Sequence, residues 1–157
     1  MRKLVVESPL AGDTVRNFRF LLWCLRALWV EDKTYGIASH CLNPWYMDDS
    51  NAEERKAGID NLWVWGNTAH IRFMDLGESE GVRLAKLRCD SPDFKILCRD
   101  TKLAVYAPDC WAAFQRGEWP PHTKGFERAP PFQALTCPSS CSARATPTPT
   151  TPTTRYC

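Results

Sequence analysis

Long apolar runs are missing from this 157-residue sequence. Nothing approaches the ~20 residues of a membrane span. The greasiest stretch, Phe18 to Val30, is broken by Arg19 and Arg26 and reads as a buried helix. Surplus charge is missing too. The net charge is +2, and the first 105 residues hold 15 Lys/Arg and 15 Asp/Glu. An electrostatic nucleic-acid binder is markedly basic, so no nucleic-acid partner is expected. Met1-Arg2-Lys3 is followed only by Leu4-Val5-Val6 before Glu7, too short for the core of a signal peptide. The expectation is a cytoplasmic chain with no membrane partner.

Although there are eight cysteines, no Cys-x-x-Cys occurs. Without a secretion signal, reduced thiols are the expectation. Cys24, Cys89 and Cys98 fall in apolar segments and read as small core residues. Cys137, Cys141 and His122 lack the second Cys/His pair of a zinc site; neither a metal nor a cofactor is expected.

Proline and small polar residues crowd the end of the chain. Eight of 12 prolines lie from Pro120 onward, and 14 of the 19 residues from Thr136 to Thr154 are Ser, Thr or Pro. Such a segment buries too little apolar surface to offset the entropy of ordering. The expected organisation is an α/β domain over 1–107, a helix and Pro-rich extension over 108–133, and a disordered tail over 134–157. In the extension, Pro108 suits a first helical turn and Gly117 a C-terminal cap. Trp111 and Phe114, three apart, would dock that helix on the main body.

Within the first 107 residues, strand-like and helix-like segments alternate. Lys3–Val6 reads as a strand. Asp13 or Thr14 can cap a helix whose stripe is Val15, Phe18, Leu22, Leu25 and Trp29. Tyr35–Ala38 reads as a second strand. Ser50-Asn-Ala-Glu53 has the pattern of a capping box opening a helix to about Trp65. Ala69–Met74 reads as a third strand, Ser79–Cys89 as a third helix and Phe94–Cys98 as a fourth strand. This β-α-β-α-β-α-β order predicts a small flavodoxin- or Rossmann-like α/β fold, a parallel sheet with helices on both faces.

Ligands of such sheets bind outside the carboxyl ends of the strands, where strand order reverses. If the first and third strands are neighbours, residues 7–13 and 75–79 meet there. Ser8, Gly12, Asp13, Asp75, Ser79 and Gly81 are then gathered with two helix N-termini, which favour an anion such as phosphate. His40, in an Ala38-Ser-His40 turn after the second strand, would reach the same edge as a proton donor or acceptor. Trp45, on a neighbouring loop, could stack on a base. The dense charges Asp48, Asp49, Glu53, Glu54 and Arg55 read as helix capping and a solvated face, the other reading being a lid over the ligand.

Several short motifs then resemble a known superfamily. Leu4-Val-Val-Glu-Ser-Pro-Leu-Ala-Gly-Asp13 with Asn17, and Asp75-Leu-Gly-Glu-Ser-Glu-Gly-Val82, resemble nucleoside 2-deoxyribosyltransferase-like domains. The Ala38-Ser-His40 turn and Met47-Asp-Asp-x-x-x-Glu-Glu-Arg-x-x-Gly58 resemble a branch of that fold found in phages and bacteria. The likeness covers about residues 2–103. It implies binding of a nucleoside or nucleotide, through Ser8, Gly12, Asp13, Asn17, His40, Asp75, Ser79 and Gly81, and cleavage or transfer at its N-glycosidic bond. Active members carry a Glu four residues after the motif glycine; counted from Gly81, that position is Ala85. Ser79 resembles the nucleotide-hydrolysing members, where the hydroxyl helps hold a 5′-phosphate. The favoured function is therefore nucleoside or nucleotide binding without the usual carboxylate. One alternative is an N-glycosidase or deoxyribosyltransferase with a relocated carboxylate, the candidates being Asp75, Glu80 and His40 as proton carrier, with Glu7 and Glu78 nearby. The other is an interaction protein with a vestigial pocket. Relatives often complete their sites across subunits, which leaves a homo-oligomer open.

Overall fold

The alternating segments fold into α/β structure, a parallel four-stranded sheet flanked by helices. The computed structural model describes residues 3–41, 43, 47–48, 51–61, 69–91 and 96–123, apart from the side chains of His40, Ile59 and Asn61. The elements are β1 (Lys3–Glu7), α1 (Thr14–Asp32), β2 (Tyr35–Ile37), a 3-10 turn (Ser39–Cys41), α2 (Ala52–Asn61), β3 (His70–Phe73), α3 (Glu80–Cys89), β4 (Cys98–Thr101), α4 (Leu103–Tyr106) and α5 (Pro108–Gln115). The sheet order is β2-β1-β3-β4, with every pairing parallel. Right-handed crossovers that step outward in opposite directions place α1 and α3 on opposite faces of such a sheet. No helix among the described residues is long and apolar enough to cross a membrane.

Register assigns the faces. Val5 pairs with His70, Glu7 with Arg72, His70 with Cys98 and Arg72 with Asp100, so these side chains share one face. Val6, Ile71 and Phe73 point to the other. There they join Phe18, Phe20, Leu21, Cys24 and Leu28 of α1, Leu103 of α4, and Cys110, Ala113 and Phe114 of α5 in one apolar core. Gly36 lets α1 approach β2 closely. A Cβ there would sit 2.7 Å from Leu25 and 2.9 Å from Leu28.

Three expectations shift. The stripe on α1 is wider and rotated. Asn17, Phe18, Phe20, Leu21, Trp23, Cys24, Ala27 and Leu28 are buried, whereas Val15 and Trp29 are each 45% exposed. The helix packs on the sheet and on α5 at once, so no single face accounts for its burial. The fourth strand begins at Cys98 and runs to Thr101 instead of ending at Cys98; Phe94 lies outside the described residues. Cys-Arg-Asp-Thr carries no apolar run because β4 is an edge strand, whose alternate residues meet Arg72 and solvent. On α2 the cap is Asn51, whose Oδ1 accepts from the N–H groups of Glu53 at 2.9 Å and Glu54 at 3.4 Å. Ser50 and the stretch to Trp65, with Trp63, lie outside the described residues. Within the charged cluster, the Glu54 carboxylate accepts from the Asp48 N–H at 2.7 Å.

The extension docks as its aromatics predict. Phe20 meets Trp111 edge-on at 6.3 Å and Phe114 at 5.3 Å, and the Trp23 indole N–H donates to the Glu118 carbonyl at 2.8 Å. Thus α5 shares the core of the α/β unit. The expected tail over 134–157 lies outside the described residues.

Candidate functional site

The topology reverses between β1 and β3. From β1 the chain crosses to β2 on one side, and from β3 to β4 on the other. Residues 8–13 leave the carboxyl end of β1 and residues 74–79 that of its neighbour β3, so the two loops flank one crevice position.

The first loop is held by its own side chains. Ser8 is buried. Asn17, buried on the first turn of α1, donates its amide to the carbonyls of Ala11 at 2.7 Å and Leu10 at 3.3 Å. Asp13 caps α1, its carboxylate accepting from the Arg16 N–H at 3.0 Å. Gly12 sits at φ +89, a left-handed conformation, with open space where a Cβ would be.

In the second loop Asp75 takes a role that its position alone does not reveal. Its two oxygens accept from the backbone N–H groups of Leu103 at 2.6 Å and Ala104 at 3.0 Å, the first two residues of α4. It also lies near Cys24, whose thiol is pushed well above its ordinary value by burial first and the Asp75 charge second. Gly77, at φ +87, again faces open space. Ser79 caps α3, its hydroxyl oxygen accepting from the Val82 N–H at 3.3 Å; the O–H itself remains a donor. Glu80 is exposed and grips Arg83 through both oxygens, at 2.8 and 2.5 Å. That bond holds its carboxyl below the ordinary carboxylate range. Gly81 follows with Ser79 Oγ 3.9 Å from where its Cβ would stand. Ala85, one turn on, is buried. The crevice is therefore bordered by Asp13, Asp75, Glu78 and Glu80, of which Glu78 pairs with Arg72 and Glu80 with Arg83.

Beneath α3 lies a polar layer that composition and strand prediction miss. Glu7 and His70 are both buried, with Nδ1 3.2 Å from Oε1. Arg72 is 1% exposed. Its guanidinium donates to both oxygens of Asp100, each at 2.6 Å, to Glu78 at 3.1 Å and to the Val82 carbonyl at 3.5 Å. Burial works most strongly, to lower the Arg72 pKa, but the bonds and charge of Asp100 with the smaller contributions of Cys98 and Glu78 together outweigh it, and the charge is held more firmly than usual. The signal was present in His70-Ile-Arg-Phe73, which alternates polar and apolar at the strand period. Through Glu78, Arg72 ties the sheet to the loop that borders the crevice.

His40 lies in the turn after β2, on the other side of β1; its side chain and the whole of Trp45 lie outside the described residues. Among the described residues no three His, Cys, Asp or Glu side chains are grouped to hold a metal. One family model matches the chain over residues 2–98, under the description Domain of unknown function (DUF7768). No curated protein and no solved structure matches it.

Proposed function

The chain belongs to the DUF7768 family, a domain of unknown function, and we propose that it binds a nucleoside or nucleotide at the β1/β3 crevice without cleaving it. The observation that carries this reading is the reversal of strand order between two adjacent parallel strands. Their exit loops each contain a left-handed glycine and are each followed by a capped helix. Open α/β sheets bind ligands at such a point. The motif resemblance in those same two loops supplies the ligand class. Ser8, Asn17 and Ser79 are the polar groups of the crevice, and the backbone around Gly12 and Gly81 is where a sugar or phosphate would approach.

Loss of catalysis follows from where the carboxylates are. Ala85 offers a methyl group at the position where the resemblance expects Glu. Asp75 is committed to the amides of α4, and Glu80 to Arg83. A second reading has one observation in its favour. Glu7, at the carboxyl end of β1, sits against His70 as an acid–base pair, and this is the carboxylate to which a relocated N-glycosidase would turn.

The test is a thermal-shift screen of nucleosides, their monophosphates and triphosphates, run beside chromatography for released base. Binding at a hundredfold excess over Kd stabilises by about 2.7 kcal/mol, so a binder raises the melting temperature with no base released. Stabilisation by no member of the panel overturns the binding reading. Base release that Glu7→Gln abolishes establishes the second.

A further inference from the structure

Where α1 meets α5, two cations lie side by side with no counter-charge. Arg16 and Arg19 are three residues apart on α1 and so are neighbours on one side of the helix. Both guanidinium groups lie over the ring of Phe114 on α5, their central carbons 5.7 and 5.3 Å from its centroid. Among the described residues neither forms an ion pair, and neither side chain donates a hydrogen bond to the protein. The Nε of Arg19 is shut away from water without an acceptor. Gly117, left-handed at φ +80, lies alongside; a Cβ there would stand 3.9 Å from Arg19 Nη1. The carboxylates of the adjoining segments are engaged elsewhere. Asp13 accepts from the Arg16 backbone N–H at 3.0 Å, and Glu118 holds Arg116 at 2.5 and 3.3 Å.

We infer that Arg16 and Arg19 form a binding site for a dianionic oxyanion of the phosphate class, at the junction of α1 and α5. The inference uses no residue of the β1/β3 crevice and stands apart from the nucleotide reading. Two costs of the arrangement ask for an anion. Like charges three residues apart on a helix repel, and a buried donor without an acceptor is destabilising. Arg19 also interrupts the otherwise apolar start of the stretch from Phe18 to Val30. The ring of Phe114 holds each guanidinium by its face. Such contact consumes no N–H, so the donors along the guanidinium edges stay available.

The number of donors selects the anion. One guanidinium fork takes two oxygens of one acceptor. A carboxylate has two oxygens and one charge, which satisfy a single fork. A phosphate group has at least three peripheral oxygens and nearly two charges, which satisfy both arginines. Inorganic phosphate and a phosphate monoester share this chemistry.

The experiment titrates inorganic phosphate into the full chain by calorimetry at about pH 8, where a phosphate group is mostly dianionic, with chloride holding the ionic strength constant. One saturable site is expected. Arg16→Gln and Arg19→Gln should each weaken binding at least about tenfold. Arg19→Lys keeps the charge but loses the fork, and should fall between Arg19→Gln and the unsubstituted chain. Lys86→Gln removes one exposed charge from α3, across the sheet, and should leave Kd unchanged. Acetate should bind at least about tenfold more weakly than phosphate. Glycerol phosphate separates the two sources: tighter binding than inorganic phosphate assigns the site to a monoester, equal or weaker binding to the free anion. A readout without substitutions guards against variants that fail to fold. Phosphate should slow modification of Arg16 and Arg19 by phenylglyoxal, mapped by mass spectrometry of peptides. The inference is overturned by phosphate that gives neither saturable heat nor protection of the two arginines. It is equally overturned by a Kd that neither Gln substitution moves, by Lys86→Gln weakening binding as much as they do, or by acetate binding as tightly as phosphate.

Discussion

On one face of the sheet, Val6, Ile71 and Phe73 meet the apolar sides of α1, α4 and α5. On the other, at alternate positions of the same strands, Glu7, His70, Arg72, Cys98 and Asp100 lie under α3. The first face is held by area removed from water, a non-directional force that tolerates small shifts. The second adds to the buried apolar Val5, Val82 and Ala85 a set of matched charges and hydrogen bonds, where burying one group without its partner is costly. One sheet thus carries two kinds of adhesive, and the polar kind lies on the side that supports the β3–α3 loop.

The largest effect should come from the apolar face. Phe20→Ala removes the ring that both Trp111 and Phe114 touch, and a loss of about 3–5 kcal/mol is expected in urea unfolding. On the polar face Asp100→Ala leaves Arg72 buried with Glu78 and the Val82 carbonyl alone. Breaking a fully buried pair costs about 3–5 kcal/mol; the Asp100 side chain is 52% exposed, so the expected loss lies at or below the low end, about 2–3 kcal/mol. Gly36→Ala drives a methyl into Leu25 and Leu28, with an expected cost of about 1–3 kcal/mol from overpacking. Arg72→Met should be the mildest, under about 1.5 kcal/mol, because Asp100 and Glu78 both reach solvent and a buried ion can be replaced by an apolar chain of similar volume. If Arg72→Met proves as damaging as Asp100→Ala, the polar face is stabilising in its own right, and the contrast between the faces collapses.

Alkaline pH probes both faces through their thiols. Burial raises Cys24 and Cys110 on the apolar side and Cys89 and Cys98 on the polar side. Above their ordinary value of 9.0 the unfolded chain loses protons that the folded chain keeps. Stability is therefore complete below about pH 9 and falls as pH rises, by about 1.4 kcal/mol per unit for each fully protected thiol. Urea midpoints measured from about pH 8 to about pH 11 should show this decline, and Cys24→Ala should flatten it. An unchanged slope would mean that Cys24 does not carry its share.

What could be read from residue patterns was what local chemistry decides. Asp13 caps its helix as expected, Pro108 opens α5, and the alternation of segments gives the parallel sheet; that Ser79 caps α3 and that β1 lies beside β3 come from the structure. What escaped depends on partners far along the chain. The role of Asp75 is set by amides 28 and 29 residues downstream. β4 hid because an edge strand facing Arg72 needs no apolar run. The rotated stripe of α1 reflects its second contact, with α5. Of the candidate site, both loops and Gly12 were legible, but the left-handed Gly77 and the occupation of Asp75 and Glu80 by structural partners were not.

The two amides held by Asp75 carry one more consequence. They belong to α4, beyond the last residue matched by the family model, and Phe114 of α5 and the Glu118 carbonyl that receives the Trp23 indole also lie beyond it. The stretch matched by the family model is therefore shorter than the stretch that folds. A fragment cut at residue 98 would keep the recognisable loops yet expose Phe20 to water and leave a carboxylate at the crevice without its ligands.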